Sequence, residues 1–520
     1  MNHHRRSVHS NETTFHFLPV TTANPTNRRE VELCHASARS YLAKSMHRHK
    51  KENTDKIPGI VIPSDGPNKL EYQTPLLCTV PYRIADQHTK MLLHYCTQSF
   101  WPGFEVGSAA FHIPSFARDY NTLMSQGPAL IHALLWSAAV SLSYRRKAKV
   151  TDKDSLMHYN QALTHILHDI SRPVAEISEQ ILYAILSVTG PKVSFDDDEG
   201  IAKRAFDPPL KELAWIHVYG RRLHIDAHAR ALIRIVDLKG GMQNLKSLEF
   251  QASFNYMDLT RATQKLIRPH LPVSRLYDRV KETHDRRQFF GYAPDLASWS
   301  CAQESSEQID SLVAGGLSTA LQEVVYDMRI WVTVIEGYHC GLLKSLDTSL
   351  LAAHRDLIQQ QLLATLPDEE AIIEEDIEAT ASVNNLFQTA LLIFSLGVIF
   401  PITYAPPYHR LARRLRSQIE YHVAQASPDL LTWLGMLGVL CCKQVGNGLR
   451  GWFIHFLGTM ERKRSSVRDW SITKRESLQP FLWSVVSCDV AAEVAWSEVQ
   501  QGSRGWESTA WPGILGTICG

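Results

Sequence analysis

The chain has 520 residues, and 54 Lys and Arg stand against 53 Asp and Glu, a formal charge of +1. That balance excludes a globally basic nucleic-acid coat and a globally acidic chaperone, and leaves charge to act locally. Hydrophobic residues at 44% and charged residues at 21% are ordinary globular values, so a large core is available and wholesale disorder is excluded.

Residues 1–75 read as a mostly irregular N-terminal arm. They are polar and basic, and Pro19, Pro25, Pro58, Pro63, Pro67 and Pro75 interrupt any regular element. One stretch has helical spacing, with Val31, Cys34, Ala38, Tyr41 or Leu42, and Met46 near one face. Between Arg28 and Lys56 there are eight Lys and Arg against four Asp and Glu. Arg28, Arg29, Arg39, Lys44, Arg48, Lys50 and Lys51 are therefore the candidate contacts for nucleic acid or for nuclear-import machinery. Against DNA such an arm positions without reading bases, and its affinity falls with salt. The first residues have no apolar stretch of the kind a secretory leader carries. The nine cysteines are odd in number and irregularly spaced, which predicts reduced thiols in an intracellular protein.

From about residue 84 helical signals dominate. Pro128 suits the first position of a helix whose Leu130, Leu134, Leu135, Ala138 and Leu142 make it apolar nearly all round, hence central. Ser155 is placed to cap a helix with Leu156, Tyr159, Leu163, Leu167 and Ile170 on one face. Ser178 is placed to cap the next, and Gly190 to end it in a left-handed conformation. Residues 215–238 read as one helix stopped by Gly240 and Gly241. Further helices are predicted over 321–346, 371–400, 410–424, 430–445 and 452–460. The longest run free of Asp, Glu, Lys and Arg, 379–409, has a short apolar centre flanked by Asn384, Asn385, Gln388 and by Pro401, Pro406 and Pro407. A membrane span needs about 20 apolar residues, so this is read as a buried core helix. With no strand–helix alternation and no fixed-period repeat, the fold class is all-α: helical hairpins packed as an array, with the basic arm in front.

Few motifs carry chemistry. Residues 446–451, GNGLRG, fit G-x-G-x-x-G, but a helical segment precedes them where a dinucleotide site needs a strand, so a helix–loop–helix turn is the reading. His224 and His228 are four apart, and His158, His165 and His168 share one predicted helix; neither set has a third ligand at zinc spacing. Asp196 to Glu199 lacks the alternation and central glycine of a calcium loop. The acidic run 368–378 reads as a helix start, where negative charge suits the dipole. No C-x-x-C, G-x-S-x-G or P-loop is present, and Ser471-x-x-Lys474 stands without its companion motifs. The residues point to no enzyme, no cofactor and no metal.

Several stretches resemble the regulatory domain of fungal-specific transcription factors, which normally lies C-terminal to a zinc binuclear cluster. They are MLLHYCTQSFWP, then PSFARDYNTLMSQGPALIHALLWSAAVSLS, then DSLMHYNQALTHI. HARALIRIVDLKGGMQNL follows, a helix ending in paired glycines, with FNYMDLTRAT after it. PDLLTWLGMLGVLCCKQVGNGLRGWFIHFL is similar to that family's paired helices with a Trp in each, and LQPFLWSVVSCDVAAEVAWSEV to its C-terminal end. The N-terminal FHFLPV and the basic segment ending in HRHKK also resemble such proteins. The family's six-cysteine cluster has no counterpart here, since Cys34 and Cys78 are the only cysteines in the first 90 residues.

The resemblance divides the chain into the arm 1–75, a regulatory domain 76–465, and a C-terminal helical extension and tail 466–520. It implies a nuclear regulator of transcription, of a metabolic or secondary-metabolite gene cluster. Such a protein would act through its helical domain and either the arm or a DNA-binding partner, with a coregulator or a second copy as further partners and no membrane. The alternative is a helical module that binds a ligand or partner without DNA binding of its own; a helical enzyme ranks last.

Overall fold

The computed structural model describes residues 87–101, 127–146, 153–190, 192–193, 205–272, 317–343, 348–366, 382–443, 447–464 and 468–505. Among these residues fifteen α-helices and one antiparallel ladder of two-residue strands make an all-α fold. No helix among them is long and apolar enough to cross a membrane.

The first core is built from α1 (Gln87–Tyr95), α2 (Pro128–Arg145), α3 (Lys153–Ile170), α4 (Glu179–Val188) and α6 (Asp226–Leu238). Pro128 opens α2 at its first turn, and every residue from Ala129 to Ser141 except His132 is buried, as expected of a helix apolar nearly all round. Burying Leu130, Leu134 and Leu135 contributes about 1.5–3 kcal/mol each in transfer free energy. Three local expectations are corrected. Ser155 does not cap α3, which starts two residues earlier; it is buried and bonds His88 Nε2 at 3.3 Å. The α3 core face runs through Tyr159, Ala162, Leu163 and Ile166, while Leu167 is exposed. Gly190 is not left-handed; it is small because the Arg222 side chain lies against it, Cδ being 3.2 Å from where a Cβ would stand.

The second core gathers α8 (Thr319–His339), α9 (Thr348–Ala364), α10 (Val383–Phe394), α11 (Ala405–His422), α12 (Pro428–Lys443), α13 (Asn447–Arg462) and α15 (Val485–Gly505), with the short α14 (Trp470–Thr473) at its edge. Helices adjacent in sequence pack on one another, α11 on α12 and α12 on α13, and α15 closes over α12 and α13. Buried Trp433 donates its Nε1–H to the Leu482 carbonyl at 2.8 Å, which ties the C-terminal segment into this core.

One helix belongs to both cores. On α7 (Leu248–Lys265), Phe250, Phe254 and Met257 pack into the first, and Tyr256, Leu259 and Ala262 into the second. The two triads recur at helical spacing on different faces, so α7 is buried all round. Its buried polar residues point at neighbouring backbone: Gln251 Nε2 donates to Leu245 O at 2.9 Å and Asp258 accepts from Leu271 N at 2.8 Å.

Candidate ligand-binding site

The stretch predicted as one helix over 215–238 is broken. Leu213–Trp215 forms a tight turn, α5 (Ile216–Tyr219) is a single turn, β2 (Arg222–Leu223) pairs with β1 (Lys192–Val193), and α6 starts at Asp226. Ala214 and Trp215 take φ of 47° and 57°, left-handed values that non-glycine residues reach only at a cost. Such strain persists where surrounding contacts over-determine it. Here Arg355 Nη1 donates to Leu213 O at 2.6 Å, Tyr256 Oη to Ala214 O at 3.0 Å, and Trp215 Nε1 to Phe100 O at 3.1 Å. Gln264 of α7 finishes the arrangement, donating to Gly220 O and Arg222 O at 3.1 and 2.9 Å.

This broken segment forms one wall of a pocket on the seam between the two cores. The space amounts to about 830 Å³, counting the part open to solvent. The wide turn Cys96–Phe100 that extends α1 brings Phe100 and Trp101 to it, α2 supplies Leu134 and Ser137, and α7 supplies Tyr256 and Met257. The lining is mostly apolar and aromatic, with a few polar groups converging on it.

Arg222 dominates the electrostatics. It is 3% exposed. Nη2 donates to Ser137 Oγ at 3.2 Å and Ser137 O at 3.3 Å, and the guanidinium lies 4.3 Å from the Tyr219 ring centre. No carboxylate among the described residues pairs with it, and its Nε is buried without a hydrogen-bond partner. A hydroxyl, a carbonyl and a ring face stabilise the charge but do not neutralise it. The acid in the lining, Asp356, is held by Arg355 through Oδ1 at 2.6 and 2.8 Å. His224, also in the lining, is neutral: burial, with Arg222 and Arg261 adding to it, pushes its pKa down to about 3.

The residues singled out from sequence fare differently. The arm residues Arg28, Arg29, Arg39, Lys44, Arg48, Lys50 and Lys51, and the acidic runs 196–199 and 368–378, lie outside the described residues. His224 and His228 do not share a helix: His224 precedes α6 and bonds Thr260 Oγ1 at 3.2 Å, while His228 is buried within α6. On α3, His158 Nδ1 meets His132 Nδ1 at 2.9 Å and His165 stacks on His132, while His168 is exposed beside Asp169. Among the described residues no group of three or more His, Cys, Asp or Glu is placed to hold a metal ion. Gly448 and Gly451 lie within α13, and Lys474 is paired with Asp489 at 2.8 Å. Arg222 was missed from sequence; its signal was the Gly220-Arg221-Arg222 interruption of an apolar stretch.

Three buried or half-buried histidines make stability depend on acid. His132 and His228 are held near pKa 4 and His224 near 3, burial being the main cause, with His158 and His165 adding to it at His132. Each folded value lies below the unfolded one of about 6.5, so the unfolded chain takes up the protons first. The stability they contribute is complete above pH 6.5 and is lost as pH falls toward 4, at up to ~1.4 kcal/mol per pH unit for each histidine. Buried Asp258 and Glu336, whose pKa values burial raises, act in the opposite sense. Denaturant midpoints from pH 8 to 5 should therefore fall only below 6.5, and His228→Gln should flatten that fall. An unchanged slope in His228→Gln would exclude its part.

No protein-family model, no curated protein and no solved structure matches the chain.

Proposed function

We propose that this chain is a nuclear regulator of transcription of the fungal-specific type, whose helical body is a regulatory module that responds to a small molecule. The observation that carries the regulatory part is the pocket: a mostly apolar cavity with a buried arginine that no carboxylate among the described residues pairs, set where α7 joins two cores. A ligand there touches both halves at once and binds only the folded state, which makes the body a sensor in thermodynamic terms. The transcriptional part rests on the resemblance. Its segments fall on α1, α2, α3, α6, α7, α12, α13 and α15, and the paired glycines Gly240 and Gly241 end α6 with φ of 91° and 88°.

The test is chromatin occupancy of the tagged full-length chain in its own cells. Discrete promoter peaks are expected, and replacing Arg48, Lys50 and Lys51 together by Ala should reduce nuclear retention. A well-expressed chain with no enrichment over an untagged control would remove the transcriptional reading and leave a ligand-binding module.

A further inference from the structure

We propose that the pocket takes an amphipathic monocarboxylate, its charge against Arg222 and its aromatic or aliphatic body between the apolar walls. This rests on the reading of the pocket as the module's ligand site and adds the ligand's chemical class. A charge removed from water is costly unless an opposite charge or a full set of hydrogen bonds compensates it. Arg222 is 3% exposed and, among the described residues, bonds only through Nη2 and leaves Nε buried without a partner. Ser137, which accepts those bonds, is neutral.

The protein spends several contacts on keeping the group there. Gln264 fixes the carbonyl of Arg222 itself, β1 pairs with its strand, and Gly190 leaves room for its side chain. A side chain as long as arginine has a way to solvent from most positions, so this confinement needs a reason other than packing.

The charge count then sets the ligand's valence. Asp356 is matched by Arg355, and His224 is neutral, which leaves Arg222 as one net positive charge in the lining. A guanidinium presents planar N–H donors suited to a carboxylate, and the bond is charge-assisted. Phe100, Trp101, Leu134, Tyr219 and Met257 supply the surface for an apolar body. An inorganic anion would leave those walls unused.

The test compares ligand charge on the full-length chain, by thermal shift and calorimetry. The probes are 2-naphthoate, indole-3-acetate and octanoate, each beside its uncharged primary amide, with inorganic phosphate as a further control. At least one acid is expected to raise Tm, by about 2–3 °C at a hundredfold excess over Kd, with its amide and phosphate giving none. Arg222→Met should weaken that acid at least about tenfold. Arg222→Lys, which keeps the charge but not the planar fork, should bind more weakly than the wild type yet still prefer acid to amide. Ligand-free Arg222→Met should melt no lower than the wild type, because it removes an uncompensated buried charge. Amides that shift Tm as much as the acids, or an acid that binds Arg222→Met undiminished, would overturn the carboxylate and leave the pocket a ligand site. A ligand-free Arg222→Met that melts far lower would make Arg222 a structural residue and overturn it too. No shift with any of the six organic compounds would remove both the inference and the pocket reading beneath it.

Discussion

Replacing Arg355 by alanine should cost about 3–5 kcal/mol, the largest loss expected of any single change considered for this chain. Its guanidinium is 1% exposed and makes three bonds at once. Nε and Nη2 hold Asp356, and Nη1 holds the Leu213 carbonyl. It also lies over the rings of Phe400 and Tyr256, 5.1 and 5.7 Å from their centres. Truncation removes a charged partner of the Asp356 carboxylate, itself 3% exposed, and that loss outweighs the missing attraction. It also frees Leu213, next to the two left-handed residues Ala214 and Trp215, so the pocket wall loses a clamp. The double variant Arg355→Met with Asp356→Asn removes both charges and should recover a good part of the loss. Denaturant midpoints of the two singles and the double give the coupling directly. A single-variant cost under about 1 kcal/mol would mean that the pair is not what holds this wall.

That wall also marks the boundary of what local sequence can convey. The central helix α2 was legible because its apolar residues and Pro128 act through local rules: burial on every face and a free N–H at the first turn. The stop at Gly240 and Gly241 was legible for the same reason, since both need positive φ. Residues 215–238 misled because their apolar spacing is helical throughout, while the break is imposed from far away. Tyr256, Gln264 and Arg355 lie between 42 and 142 residues from the backbone they hold. Only Gly220 hinted at it, where a Cβ would stand 2.8 Å from both Ile216 O and Ile402 Cγ2. Once the helix breaks, His224 precedes α6 and no longer lies one helical turn from His228, and Arg222 turns toward Ser137, 85 residues upstream. A site assembled across such separations leaves no spacing to recognise. The second core was easier, because α12 and α13 each bury a face that repeats locally; the reading of GNGLRG as a turn between helices is corrected, since residues 447–451 already form the first turn of α13.

The glycines of that helical pair support a last expectation, in which one substitution has three outcomes. In α12, a Cβ on Gly438 would lie 2.3–2.6 Å from three carbons of the Phe453 ring, and one on Gly435 2.7 Å from Leu457 Cδ2. In α13, Gly451 has nothing within 4 Å of its Cβ position. Alanine gains up to about 1 kcal/mol over glycine inside a helix, so Gly451→Ala should stabilise by that order. At Gly435 the obstacle is the end of a flexible Leu side chain, and the gain and the clash should nearly cancel. At Gly438 the obstacle is a rigid, fully buried ring, and overpacking of about 1–3 kcal/mol should exceed the gain. Gly438→Val should cost more still, because it adds volume and a stiff χ1 against the same ring. Phe453→Leu should be harmful alone yet partly rescue Gly438→Ala, a sign reversal that only direct contact produces. The series also bears on the G-x-G-x-x-G match. In a phosphate cradle Gly451 would be intolerant of a Cβ, whereas on an open helical surface it should accept one with a gain in stability.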